Sequence, residues 1–387
     1  METKSRLNPD FLLRCALVFA LLLPVLLLRG VTPDNELKYL QIADEALRDG
    51  HFWCLYHNGA LYADKPPLYL WIVMLFRQLT GHHCLFLLEM FSLIPAFVTL
   101  GVMERWAGEE LRGRFRIAAF FTLMTCAYIL GGAVVLRMDM LMTMFITLAL
   151  WTFWRMYKGD DSLRLKILFP LYVFMAIFSK GPVGIMIPLL CIPIYLLCVG
   201  RIGFLKKVWG WRSWVILVAL CAVWWTFVYL EGGSEYLNNL LFHQTAGRAV
   251  NAFHHKQPMY YYCYTIWYAN GPWSLLYAGI LVAAAVRRTK MPELPAFWLN
   301  VAASFFVIMS LVSGKLAIYL LPVFPFISYA CLALLQRMSE DNAYESGRRQ
   351  ASCRRWASVA IFGSLAMLLA GLVIGLFFTD WMNSLLV

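Results

Sequence analysis

Apolar runs long enough to cross a bilayer recur along this chain, and they leave it little choice but to fold in a membrane. A spanning helix needs roughly 20 predominantly apolar residues for a ~30 Å hydrocarbon core. The first run, Phe11 to Leu28, carries one charge, Arg14. Further runs occupy residues 84–103, 117–134, 141–157, 167–179, 182–199, 213–230, 273–286, 296–312, 316–335 and 356–378. The reading is therefore eleven helical spans. Composition agrees: 61% of the 387 residues are hydrophobic and 14% are charged, against about 25% charged in soluble domains. The alternating pattern of an outer-membrane barrel is absent. The expected fold class is an all-α polytopic integral membrane protein. No small-residue cleavage site follows the first run, which reads as a retained span rather than a removed leader.

Basic residues set the expected sidedness. With the N-terminus cytoplasmic, 23 of the 33 Lys and Arg fall in cytoplasmic segments. They lie in the tail with Arg14, then around 105–116, 155–166, 201–212, 287–290 and 337–355. This bias accounts for the net charge of +11 by the positive-inside rule, so no nucleic-acid partner is inferred. One segment decides the topology. Leu68 to Leu79 is apolar but covers only about 18 Å at 1.5 Å per residue. It is expected to be an interfacial helix, because a span there would place the later basic loops outside.

On this topology the seven histidines face outward. So do the acids of a long first loop, Val31 to Pro67. That length is itself a signal, since most connections run about 2–8 residues. Asp34, Glu36 and Lys38 follow Pro33. Two readings fit this stretch. Asp34 or Pro33 caps an amphipathic helix to about Arg48, with Leu37, Leu40, Ala43 and Leu47 lying on the membrane. Alternatively, a carboxylate here deprotonates an acceptor.

Asp64-Lys65-Pro66-Pro67 precedes the interfacial helix. Lys65 is then placed at a helix N-terminus, which suits an anion more than a cation. Either it shares a phosphate there or it snorkels to the headgroups. Arg137-Met138-Asp139 lies at the outer end of a span, either as an ion pair that satisfies itself or, because charge there is costly, as a functional group. Lys180 and Lys315 each occupy an outward turn of small residues, where interfacial anchoring is the plain alternative.

The second outer loop, 231–272, holds His243, Arg248 and the run Tyr260-Tyr261-Tyr262. Aromatics at this density suit a membrane interface or stacking on sugars. A divalent ion between Asp64 and His243 is conceivable, but no metal-binding spacing supports it. The ten cysteines follow no such spacing either. No cofactor is firmly expected.

These stretches together resemble the GT-C membrane glycosyltransferases. The resemblance is closest to the aminoarabinose–lipid A transferase branch and its polyprenyl-phosphate-sugar relatives, a group that includes the dolichyl-phosphate-mannose protein mannosyltransferases. It covers about residues 10–335. Its elements are Asn35-Glu36-Leu37-Lys38-Tyr39, Lys65-Pro66-Pro67-Leu68, Arg137-Met138-Asp139, Lys180-Gly181-Pro182-Val183-Gly184 and Lys315-Leu316-Ala317-Ile318-Tyr319-Leu320-Leu321-Pro322. The family's first motif reads Asp-Glu-x-Arg-Tyr. Aligned on Tyr39, it puts Asn35 in place of the aspartate and Lys38 in place of the arginine.

The resemblance implies transfer of a sugar from a polyprenyl-phosphate donor to a lipid-linked or envelope-glycan acceptor such as lipid A. The implied location is the outer face of a bacterial inner membrane. Asp34, Glu36 and Asp139 are the candidate catalytic carboxylates. Lys65, Arg137, Arg248, Lys315 and Lys38 are the candidate donor-phosphate ligands, and His243, Tyr261 and Asp64 the candidate substrate-loop residues. A single displacement with inversion is expected, and a phosphate acceptor would need no base. Residues 1–335 would form the catalytic membrane region. Residues 336–387 would form a cytoplasmic loop and final span, with no soluble C-terminal domain. The alternatives are a lipid or solute transporter or flippase, and a non-catalytic envelope scaffold. The first is disfavoured because charges gather on one face and no internal repeat is visible.

Overall fold

The computed structural model describes residues 9–108, 110–241, 256–341 and 347–378. Helix α1, Pro9–Leu28, shows how the apolar runs fold. Phe11, Arg14, Val18, Leu22 and Leu26 are buried, a stripe at helical spacing that faces the bundle. Leu12, Leu13, Leu17 and Leu27 point outward, which is stable only against lipid. Arg14, expected in the cytoplasmic tail, is instead on the buried stripe. It forms an ion pair with Glu104 of α4, Leu85–Ala107, because a charge inside a span must find a partner.

Next come α5, Gly113–Met124, and α6, Ala127–Val134, bent by 61°. Then α7, Asp139–Tyr157, packs against both α4 and α8, Leu163–Lys180. Helix α9 covers Val183–Cys198. Helix α10, Trp211–Asn238, kinks at Gly233 and packs on α8. Helices α11, Tyr261–Ala269, and α12, Ser274–Val286, are bent by 111°. Helix α13, Glu293–Leu311, leads through a 3-10 segment, Ala317–Val323, into α14, Phe324–Asp341. Helix α15, Gly347–Phe377, packs on α1 and α5.

The protein is a multi-pass membrane protein. The stretch Ala317–Glu340 is buried on nearly every side and forms the centre, whereas α1, α10 and α15 expose most of their apolar surface. Among the described residues six helices are long and apolar enough to cross a membrane, or eight if each bent pair is one span. The expected eleven is not reached by this measure. Helices form at 141–157, 167–179 and 182–199, but α7 and α8 carry charges at their ends. Helix α9 would cover only about 24 Å.

The first loop is a small substructure. A π-helical turn, Pro33–Leu37, runs into α2, Lys38–Asp49. Thr32, not Asp34 or Pro33, takes the N-cap position of this turn and Leu37 that of α2, neither with a side-chain cap hydrogen bond. A two-stranded hairpin follows, Tyr56–His57 paired with Ala60–Leu61, so the chain is not purely helical. Asn58 and Gly59 both have positive φ, as a two-residue hairpin loop requires. Glu45 accepts both of their N–H groups at 2.8 Å.

Helix α3, Leu68–Thr80, is short, as expected for an interfacial helix, and packs on α2. The expected lipid-facing stripe of α2 needs correction. Leu40 and Ala43 are buried with Tyr39, Ile42 and Ala46 against Tyr69, Leu70 and Val73, while Leu37 is exposed. Helix α3 supplies apolar contact that the sequence pattern had assigned to lipid.

Candidate active site

Glu36 lies at the end of a buried charge network. Arg29, just beyond α1, donates two parallel hydrogen bonds to Glu36 at 2.8 Å. Its Nη2 also lies 2.7 Å from Oε1 of Glu89 on α4. Glu36 further accepts the Thr32 N–H at 2.7 Å and the Leu136 N–H at 2.6 Å. Burial pushes its carboxyl pKa up, but the Arg29 contacts and the two backbone donors outweigh this and hold it below the usual range. Glu36 is 1% exposed and turned away from the cavity described below.

Glu36 holds the turn between α6 and α7. Ser92 of α4 grips the same turn, donating to the carbonyls of Val135 at 2.6 Å and Arg137 at 3.2 Å. This places Arg137 and Asp139. Arg137 Nε lies 3.1 Å from Asp139 Oδ2. Lys180 Nζ, at the end of α8, bonds the other carboxylate oxygen. Asp139 is buried, and each of its carboxylate oxygens is taken by a cation. Lys180 also sits 4.6 Å over the Tyr319 ring.

Two glycines put Lys180 there. Gly181 has φ +94°, and a Cβ on Gly184 would lie 2.3 Å from the Ala176 backbone. Helix α9 can therefore press directly on α8.

A cavity of about 480 Å³ opens beside this cluster. Asn35 and Lys38 line it from the first turn and α2, and Asp64 and Lys65 from the hairpin exit. Arg137, Asp139 and Lys180 form another wall. Four cations thus face two carboxylates. Lys38 stands 4.6 Å over the Tyr62 ring. Apolar side chains, among them Ile177, Met186, Leu240 and Met309, complete the lining. Such a cavity suits an anionic group joined to an apolar body.

The cavity gathers Lys38, Asp64, Lys65, Arg137 and Asp139. Other candidates lie elsewhere. Lys315 is buried and donates to the Gln257 carbonyl at 3.0 Å, tying two segments together without lining the cavity. Tyr261 packs edge-on to Tyr262 and Tyr264 and does not line the cavity either. Asp34 belongs to the π-helical turn, but the description does not extend to its side chain. Arg248 and His243 lie outside the described residues, and with them the Asp64–His243 ion site. Among the described residues no three His, Cys, Asp or Glu side chains converge to hold a metal.

Trp224, Trp225 and Tyr319 also line the cavity, although sequence reading gave them no role. The two indole N–H groups have no partner among the described residues. A tryptophan pair inside an apolar span was the available signal.

No protein-family model matches the chain. It is 28% identical over 327 residues to the undecaprenyl phosphate-α-4-amino-4-deoxy-L-arabinose arabinosyl transferase of Pseudomonas savastanoi pv. phaseolicola. That match covers 82% of this chain and 59% of the relative. It is 27% identical to an uncharacterized protein of Aquifex aeolicus, covering 79% and 61%. The chain thus spans about three fifths of the length of these relatives. The crystal structure of ArnT from Cupriavidus metallidurans bound to undecaprenyl phosphate superposes with a TM-score of 0.74 at 16% identity. It covers 97% of this chain and 76% of that one. An Archaeoglobus fulgidus oligosaccharyltransferase superposes with a TM-score of 0.50 at 13% identity, covering 97% and 55%.

Proposed function

We propose that this protein, which has the fold of the GT-C membrane glycosyltransferases, transfers a sugar from a polyprenyl-phosphate donor to a lipid-linked or envelope acceptor. The observation that carries the reading is the convergence of Lys38, Lys65, Arg137 and Lys180 on one cavity with an apolar wall. Displacement at the anomeric carbon expels a polyprenyl phosphate. Cations fixed where that charge develops stabilise the transition state, because they need no reorganisation as it forms. Lys38, Lys65 and Arg137 hold the phosphate, and Lys180 joins them. Asp139 serves by fixing Arg137 and Lys180 at their spacing. Glu36 acts one step further back, through the turn that carries Arg137.

Asp64, which lines the cavity, is the carboxylate we assign to accept a proton from a hydroxyl acceptor, with Asp34 of the first turn as the alternative. Asn35 stands at the cavity where the family motif has its aspartate, and it cannot take that proton. A phosphate acceptor, such as one on lipid A, needs no base, and Asp64 then orients substrate. The undecaprenyl phosphate carrier named for the relatives is the donor we assign. The reaction proceeds with inversion. The site faces the periplasm from the inner membrane, with the N-terminus cytoplasmic, as the distribution of basic residues favours. Residues 1–335 carry the catalytic region.

The test is conversion of a synthetic polyprenyl-phosphate sugar by the purified full chain, read by mass spectrometry with a phosphoglycolipid acceptor. Sugar transfer that falls by on the order of 10²-fold in Lys65→Ala, with the protein still folded, supports the assignment. Donor translocation across vesicles without transfer would establish the transporter reading instead.

A further inference from the structure

We propose that a groove between α5 and α15 binds the phosphate headgroup of an anionic membrane phospholipid. The groove has a volume of about 800 Å³. Arg114 enters it from the first turn of α5, and Arg354 and Arg355 from α15. All three are exposed. Arg114 Nη1 lies 3.4 Å from Ser358 Oγ, which brings the two helices' polar groups together. Among the described residues, no carboxylate forms an ion pair with any of the three arginines. Three guanidinium groups therefore share one concave surface.

The groove changes character along α15. Arg355, Val359 and Phe362 stand at i, i+4 and i+7, one face of the helix. From Arg355 to Phe362 the helix rises about 10 Å. Val359 is 53% and Phe362 is 70% exposed. The cationic end thus lies one to two turns from an apolar wall on a helix apolar enough to cross a membrane. A phospholipid matches both ends, with phosphate on the guanidiniums and an acyl chain along Val359 and Phe362. Arginine suits phosphate because its planar fork can donate two parallel bonds. Basic pockets between spans are a recurrent seat for such headgroups. The arginines lie at the end of a helix apolar enough to cross a membrane, where lipid headgroups are already at hand.

This groove is separate from the sugar-transfer cavity. Helix α4 begins near the cavity end, where Ser92 holds the Arg137 turn. It runs to Ala107, and α5 starts beyond it at Gly113. The groove is therefore at the opposite end of the bundle.

Native mass spectrometry of the full chain in detergent tests the proposal. The probes are phosphatidylglycerol, phosphatidylethanolamine and inorganic phosphate. Wild type should retain phosphatidylglycerol over phosphatidylethanolamine. Retention should fall about fivefold for each guanidinium removed by Arg114→Gln, Arg354→Gln and Arg355→Gln. The triple Arg→Lys variant should keep part of the preference, because the charge remains while the paired hydrogen bonds are lost. If the triple Gln variant does not fold, the single variants carry the same comparison. Equal retention of the two lipids, or Gln variants that behave as wild type, would overturn the proposal. Displacement of the lipid by an equimolar amount of inorganic phosphate would reduce the groove to a simple anion site and overturn it as well.

Discussion

The Glu36 carboxylate accepts the backbone N–H of Leu136 at 2.6 Å, across 100 residues of chain. The same carboxylate takes both arms of Arg29. One side chain thereby ties the first outer loop to the turn that presents Arg137.

Glu36→Gln should therefore impair the protein through geometry. Removing one partner of a buried ion pair costs about 3–5 kcal/mol, so thermal unfolding in detergent should shift clearly downward. A displacement of Arg137 by about 1 Å is worth on the order of 10²-fold in turnover. The loss should fall on kcat, and donor KM should rise with it because Arg137 also holds the donor phosphate. It should not be restored by raising the pH, which would favour a substitute base. Full activity in a destabilised Gln variant would detach Glu36 from the site.

Asp139 bridges Arg137 and Lys180 as a buried carboxylate. Asp139→Asn should destabilise the protein by about 3–5 kcal/mol, because Lys180 is left buried without its anion. The double variant Asp139→Asn, Lys180→Met should recover much of that stability and none of the sugar transfer. A double variant that regained activity would show that neither charge serves the chemistry.

Gly184→Ala places a methyl group 2.3 Å from the Ala176 backbone. Overpacking of this kind costs about 1–3 kcal/mol. Helix α9 must move off α8, and Lys180 sits at that junction. Thermal unfolding should show the cost, and donor KM should rise as the cation is displaced. An unchanged midpoint would mean that the two helices separate without penalty.

Acid should loosen the first loop. Burial raises the Asp44 carboxyl, but hydrogen bonds from His83 and Arg77 outweigh it and leave the pKa below the usual range. Glu36 is lowered in the same sense. A lowered carboxyl contributes its stability above the unfolded value, about 3.9 for Asp and 4.3 for Glu. It loses that stability as the pH falls through the folded value. The Glu36 contribution should thus be constant from pH 5 to 8, and both should decline below about pH 4. Hydrogen exchange over residues 33–49 reports this directly, and protection lost already between pH 6 and 5 would contradict it.

Much of the fold is legible in the chain. The apolar runs become helices, and Leu68–Thr80 is too short to span, as its sequence indicates. The hairpin is written in Asn58-Gly59, a strong local signal that the reading of the first loop did not use. The motif residues Lys38, Asp64, Lys65, Arg137 and Asp139 do converge on one cavity. Glu36, beside them in sequence, faces the opposite way and pairs with Arg29.

That division has a physical cause. Hydropathy period, helix length and turn chemistry depend on near neighbours, so the sequence determines them alone. The partner of a buried charge is chosen by packing between distant segments. Glu36 has several cations within reach along the chain, and nothing local distinguishes Arg29 from Lys38. Tertiary structure decides it, because α1 and α4 bring Arg29 and Glu89 to one point, and a buried carboxylate is stable only where every donor is already in place.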